Sequence, residues 1–140
     1  MKDFSDNIFY KIIHGELPAH RVYEDENFLV ILDRYPVNFG HCLVLPKAPA
    51  ADIFDLGDGA AARLYPLAKK VAMALKAATG CDGVNIMQNN GSAAGQVIFY
   101  FHLHIIPRYA DDGIRFFAGQ KDYDSTKFEE IAQKLIQILN

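Results

Sequence analysis

Three observations predict a mixed α+β fold. Short apolar runs of strand length, Phe28 to Leu32 and His41 to Leu45, flank a turn-forming segment, Tyr35-Pro36-Val37-Asn38-Phe39-Gly40. One long stretch, Ala60 to Ala78, carries apolar residues at helical spacing. The regular strand–helix alternation of a doubly wound parallel sheet is missing.

Each element follows from its own pattern. Ile8 to Ile13 is a short apolar run ended by His14-Gly15, enough for a turn or two of helix. Arg21 to Glu24 alternates weakly. Phe28–Leu32, closed by Asp33, and His41–Leu45, stopped by Pro46, read as an antiparallel pair. In the long helix Leu64, Leu67, Val71, Leu75 and Ala78 recur at three and four, and Gly80 follows as a C-terminal cap. Pro66 either kinks this helix or marks its first turn. Val84–Met87 reads as a short strand, and Gln88 to Gln96, rich in Asn, Gly, Ser and Ala, as a loop. Val97 to Ile106 reads as one long strand ended by Pro107. The last helix is expected from Thr126, with Glu129 completing a capping box and Phe128, Ile131, Leu135, Ile138 and Leu139 as its stripe. Asp111 to Gly119 reads as a loop.

Composition narrows the function. The chain has 140 residues, 51% apolar and 22% charged. A domain of that length buries roughly 68–70% of its unfolded surface, so it needs no staples. Disordered, collagen-like and disulfide-rich classes are excluded. A net charge of −3 offers no basic field for nucleic acid. Cys42 and Cys81 have no C-x-x-C partner and read as free thiols of a reducing compartment. The opening Met1-Lys2-Asp3-Phe4-Ser5-Asp6 is too acidic for a signal peptide, and no apolar stretch approaches the length of a membrane span. The expectation is a cytoplasmic protein that meets neither nucleic acid nor membrane. With no repeat or linker, residues 1–140 read as a single domain.

The chemistry concentrates in Gly91-Ser92-Ala93-Ala94-Gly95-Gln96-Val97-Ile98-Phe99-Tyr100-Phe101-His102-Leu103-His104-Ile105-Ile106-Pro107-Arg108. Read as a strand, Phe99, Phe101, Leu103 and Ile105 share a core face. Tyr100, His102 and His104 share the other, which spaces the imidazoles by about 6.6–7 Å. Imidazole is a nucleophile, a proton donor and a metal ligand near neutral pH. The small-residue loop before it offers backbone N–H groups unshielded by side chains, a geometry that holds anions. Gly91 and Gly95 serve equally as plain turn residues, so it is the loop together with the histidine pair that points to phosphate chemistry.

These residues resemble the histidine-triad (HIT) family of nucleotide hydrolases and transferases, in its common bacterial branch. The resemblance runs from about Ile8 to Arg108. It includes Ile8-Phe9-Tyr10-Lys11-Ile12-Ile13, Gly15-Glu16-Leu17-Pro18-Ala19, Val22-Tyr23-Glu24-Asp25, Leu32-Asp33 and Gly40-His41-Cys42-Leu43-Val44-Leu45-Pro46-Lys47. The resemblance implies a five-stranded antiparallel sheet with one long helix and a C-terminal helix, two such sheets joining in a homodimer. It implies attack by His102 on the α-phosphate of a purine nucleoside phosphate derivative, through a nucleotidyl–histidine intermediate, with no cofactor. His104 is implied to contact the phosphate or leaving group, and His41 to orient the second ring nitrogen of His102. Asp33 falls on the ribose-binding acid, Phe9 and Ile31 on the base wall, and Asn89, Gly95, Gln96 and Val97 on the phosphate-binding segment.

Two departures from the family pattern stand out. The first triad histidine is Tyr100. The structural zinc positions of many bacterial members are Asn7, Tyr10, Pro49 and Tyr100, none a plausible zinc ligand. The expectation is a zinc-free member whose N-terminal segment is held by packing of Tyr10 and its apolar neighbours. Two other readings stay open: a nucleotide sensor with little turnover, and a metalloprotein using His41, His102 and His104.

Overall fold

The computed structural model describes residues 2–116 and 119–140. In chain order the elements are α1 (Ile8–Ile13), β1 (Arg21–Glu24), β2 (Phe28–Leu32), β3 (Cys42–Pro46), α2 (Asp58–Thr79), β4 (Gly83–Met87), β5 (Leu103–Arg108) and α3 (Ser125–Leu139), with a single 3-10 turn at Ser92–Ala94. The five strands form one sheet in the order β1-β2-β3-β5-β4, and every pair is antiparallel. This is the α+β, five-stranded arrangement that the resemblance implies.

β2 and β3 are apolar throughout because both faces of the sheet are covered. Phe28, Val30, Cys42, Val44, Leu103 and Ile105 point to one face. There they pack against Leu64, Leu67, Ala68, Val71 and Leu75, the apolar stripe of α2. Leu29, Ile31, Leu43 and Leu45 point to the other, against Phe9 and Ile12 of α1 and against Tyr100. Burying one such side chain contributes roughly 1.5–3 kcal/mol. α1 is only six residues long and covers only part of its face.

Several boundaries differ from the sequence reading. α2 starts at Asp58, so Pro66 lies well inside it rather than in its first turn. Pro66 and Ala62, whose carbonyl loses its helical partner, are both on the solvated side, which makes the loss tolerable. Gly80 does cap the helix, in the left-handed conformation at φ 67°. Asp124, not Thr126, caps α3, its carboxylate accepting from the Lys127 N–H.

The long strand expected over Val97 to Ile106 is shorter and shifted: β5 begins only at Leu103 and runs through Pro107. The Phe101 N–H is taken by the Ala50 carbonyl, outside the sheet ladder. Pro107 fits in the strand because its carbonyl faces Asn38, away from β4, and the N–H it lacks would face the same way. Phe99 is half-exposed rather than core. The predicted loop over Asp111 to Gly119 has no regular structure where described; Phe117 and Ala118 lie outside the described residues. No described helix is long and apolar enough to cross a membrane.

Between β2 and β3 the turn closes with the His41 N–H donating to the Asn38 carbonyl. Its third residue, Gly40, has φ 98°, which favours glycine. A Cβ there would also stand 3.2 Å from Leu75 and 3.3 Å from Thr79, at the end of α2. Gly40→Ala is expected to lower stability by about 1–3 kcal/mol, read as a lower urea midpoint at unchanged m value.

Candidate functional site

Alternation along three neighbouring strands assembles the polar cluster. Ile31 and Leu43 point to the α1 face, so Asp33, two residues beyond Ile31, and His41, two before Leu43, point the same way. The Asp33 N–H donates to the His41 carbonyl at 2.8 Å, continuing the β2–β3 register. His104 lies opposite Leu43 on β5 and shares that face. His102 precedes it by two. The sheet order therefore sets Asp33, His41, His104 and His102 side by side.

An open groove runs past this cluster. Its walls include Phe9, Ile31, Asp33, Asn89, Gly95 and Val97, with the three histidines at its floor. All predicted site residues except Gln96 thus line one groove. Phe9 and Ile31 are buried members of the α1-side core as well, and the Phe9 ring lies 4.9 Å from that of His102.

Hydrogen bonds decide where each imidazole carries its proton. His102 Nδ1 is 2.6 Å from the Tyr100 carbonyl, an acceptor only. Nδ1 must therefore hold the proton, and Nε2 keeps its lone pair. His41 is set the opposite way. Its Nδ1 accepts the Val37 N–H at 3.1 Å, so its proton is on Nε2. That proton points at His104 Nδ1, 2.9 Å away, and at Asp33 Oδ2, 3.5 Å away. His104 then accepts at Nδ1 and carries its own proton on Nε2. The His102 and His104 rings, 4.9 Å apart between centroids, present opposite polarities: a bare nitrogen and an N–H.

Here the structure corrects one expectation. His41 does not orient His102, whose second nitrogen is occupied by a backbone carbonyl; it orients His104.

Burial keeps all three rings neutral. Desolvation lowers the pKa of His102 and of His41. It pushes His104 down to about 4, helped by the charges that the two neighbouring imidazoles would carry. Burial likewise lifts the Cys42 thiol to about 11, so it is unreactive at neutral pH. Both cysteines are free and buried.

The small-residue loop spends more of its amides on itself than its composition suggests. The Ala94 and Gln96 N–H groups donate to the Gly91 carbonyl, and that of Gly95 to Ser92. The Gln96 side chain is buried: Oε1 accepts from the Gly91 N–H, and Nε2 donates to Ala51 and Ile98. Gln96 therefore shapes the loop from behind and does not reach the groove. Val97, 85% exposed, stands at the groove rim, and its amide donates to no protein acceptor among the described residues. The Asn89 side chain lies beside Gly95.

Among the described residues one group of side chains lies close enough to hold a metal: Asp33, His41 and His104, with ligand atoms within 4.8 Å of one another. The fit is poor. While Val37 donates into Nδ1, Nε2 of His41 carries a proton and has no lone pair to give. His102, which the metalloprotein reading included, is outside this group. Three of the four positions that the resemblance matches to zinc ligands have other partners, and the fourth, Pro49, has no side-chain donor atom. Asn7 caps α1 through the Phe9 N–H, Tyr10 stacks on His14, and the Tyr100 hydroxyl donates to the Pro46 carbonyl at 2.6 Å. Tyr100 is fully buried, edge-on to Phe4 and Phe9. Tyr10 and its neighbours Phe4, Phe9 and Ile12 pack into one cluster with Tyr100, which holds the N-terminal segment against the sheet.

Sequence reasoning missed Val37 and Asn38. Val37 acts through a backbone amide, and Asn38 reads as an ordinary turn residue, so neither offers a side-chain signal.

A two-sided sheet with clustered imidazoles at one end defines a class, histidine-triad-like α+β proteins. The comparisons make this specific. The HIT domain model matches residues 14–111. An uncharacterized HIT-like protein of Borreliella burgdorferi is 38% identical over 133 residues, covering 93% of this chain and 96% of that one. Adenylylsulfatase HINT3 of Arabidopsis thaliana is 42% identical over 108 residues, 77% of this chain and 55% of that protein. The crystal structure of SMU.412c from Streptococcus mutans superposes with a TM-score of 0.92 at 36% identity, covering 99% of this chain and 88% of that one. The chain belongs to the HIT domain family.

The neutral histidines set a pH dependence. An unfolded imidazole protonates near 6.5, whereas folded His104 does so only near 4. Between those values the unfolded chain binds more protons, so stability rises with pH across the window. The expected Tm falls steadily from pH 6.5 to pH 4, and falls less in His104→Asn; a scanning calorimetry series checks both.

Proposed function

We propose that the protein is a nucleotide phosphohydrolase or nucleotidyl transferase acting at the α-phosphate of purine nucleoside phosphate derivatives. Phosphoramidates, acyl adenylates and dinucleoside polyphosphates are the candidate substrates. The observation that carries this reading is the opposed polarity of His102 and His104 over one groove. Family membership and a hydrolase name on the Arabidopsis relative support it.

In this mechanism the lone pair of His102 Nε2 attacks phosphorus in line with the leaving group. The P–N or P–O bond breaks, and its electron pair leaves with the departing group. The imidazolium so formed keeps its Nδ1 proton against the Tyr100 carbonyl, which stabilises the positive charge. His104 Nε2–H donates to a phosphoryl oxygen or gives its proton to the departing nitrogen or oxygen, and recovers it from the water of the second step. Water then attacks phosphorus, the electron pair returns to Nε2, and a proton passes to solvent. The Val97 amide and the Asn89 side chain hold phosphoryl oxygens. Gly95 gives the loop its turn and lets Asn89 approach, with Gln96 bracing it from behind. Asp33 accepts from the ribose hydroxyls, as an ionised carboxylate suits a vicinal diol. Phe9 and Ile31 wall the base. No step needs a cofactor, because the imidazole supplies the nucleophile and the N–H groups the charge stabilisation.

Tyr100 is read as the remnant of a dismantled zinc site rather than a damaged active site. Its position supports this, since it contributes a carbonyl to His102 whatever its side chain is. The reading extends to a zinc-free, cytoplasmic, single-domain member of the family's bacterial branch.

The same reading includes a homodimer. β4 is an edge strand of the sheet. On α3, Phe128, Ile131, Leu135 and Ile138 form an apolar stripe that stays exposed, Leu135 at 48%. An isolated helix of 15 residues is marginal in water, so a stripe of this kind calls for a partner.

Wild-type protein is expected to hydrolyse adenosine 5′-phosphoramidate, with His102→Ala slower by about a thousandfold or more and AMP binding retained. A wild type no faster than His102→Ala while AMP still binds leaves the sensor reading. Sedimentation is expected to give twice the chain mass for wild type and the single chain mass for Leu135→Asp.

A further inference from the structure

The polarity of His104 depends, through His41, on a bond donated by a backbone amide, the Val37 N–H to His41 Nδ1. That amide belongs to the β2–β3 turn, so whatever fixes the turn fixes the proton. Asn38 does so through three hydrogen bonds from two of its atoms. Its carbonyl accepts the His41 N–H at 3.1 Å. Its Nδ2 donates to the Pro107 carbonyl at 2.9 Å and to Asp112 Oδ2 at 3.0 Å.

The anchor is itself rigid. Arg108 holds the Asp112 carboxylate in a fork, Nε at 2.7 Å and Nη2 at 2.9 Å. The Tyr109 and Ile114 amides donate to the same group. The Asp112 side chain is 8% exposed. The guanidinium, then these amides, hold its carboxyl well below the usual range. Arg108 Nη1 also reaches Asn85, which ties the assembly to β4.

We propose that Asn38 is a positioning residue for the site: by tying the turn to the Arg108–Asp112 pair, it keeps the Val37 amide on His41 Nδ1 and thereby sets both His41 and His104 in their Nε2–H tautomers. With the turn released, His41 is free to carry its proton on Nδ1. Its bare Nε2 would then face His104 Nδ1, which must become the donor, and His104 Nε2 would lose its proton. Two lone pairs would meet the phosphate instead of one lone pair and one N–H. Asp33, facing His41 Nε2 at 3.5 Å, favours the same tautomer from the other side. In the proposed function its carboxylate turns to the ribose when nucleotide binds, and the Val37 amide is then the remaining determinant. The kinetic consequence, and the release of Asp33 when nucleotide binds, rest on that function; the wild-type tautomers do not.

The experiment is long-range 1H–15N correlation of the imidazole nitrogens, with and without AMP, alongside kinetics. In wild type His41 and His104 are expected as Nε2–H and His102 as Nδ1–H. Asn38→Ala with AMP bound is expected to move at least about a third of His41 to Nδ1–H. Its kcat should fall about 10- to 100-fold at a KM within about twofold. Asn38→Asp, which sets a second carboxylate against Asp112, is expected to do the same. Wild-type His41 found as Nδ1–H overturns the inference, whether or not either variant folds. So does a kcat loss with both tautomers unchanged, the signature of a merely structural role. A wild type that turns over no nucleotide, with Asn38→Ala still showing the tautomer shift when AMP is bound, sinks the proposed function and supports this assignment.

Discussion

One hydrogen bond sets the chemistry available to this protein: His102 Nδ1–H to the Tyr100 carbonyl, at 2.6 Å. It exists because residues 97–102 leave the sheet. In a regular strand the carbonyl two residues back is turned toward a neighbouring strand and spent on the ladder. Here the ladder starts only at Leu103, and the Phe101 amide bonds Ala50 instead. The carbonyl of Tyr100 is left for the imidazole, which then has one proton it cannot move and one lone pair aimed outward.

Tyr100 serves this arrangement from its other end too. Its hydroxyl meets the Pro46 carbonyl, its ring packs edge-on between Phe4 and Phe9, and burial holds the phenol protonated as a permanent donor. A side chain fixed at its tip and around its ring leaves the backbone little freedom. A histidine or a metal ligand is therefore not required at this position for the His102 ring to be oriented. The N-terminal segment is held by aromatic packing and one hydrogen bond.

The histidine cluster shows why proximity alone does not define a metal site. Three potential ligand atoms converge, yet an amide four residues before His41 has claimed the nitrogen that would otherwise carry its proton. The cluster works instead as a proton-ordering chain, from Val37 through His41 to His104. Low dielectric around these rings strengthens each link and keeps the charged forms disfavoured.

Much of this was legible in the linear chain. Apolar periodicity placed α2 and the paired strands β2 and β3, since burial against two covered faces leaves only one pattern of side chains workable. The His102–His104 spacing and the small-residue loop located the groove. The chain alone misjudged the reach of β5, the cap of α3, the partner of His41 and the role of Gln96, and in each case a hydrogen bond decided the matter. Local sequence determines which residues share a face, because that depends on periods of two and 3.6 residues. It does not determine where a proton sits on an imidazole, because the deciding partners come from Val37, from Tyr100 and, through Asn38, from Pro107 and Asp112. Those meet only after the sheet has closed.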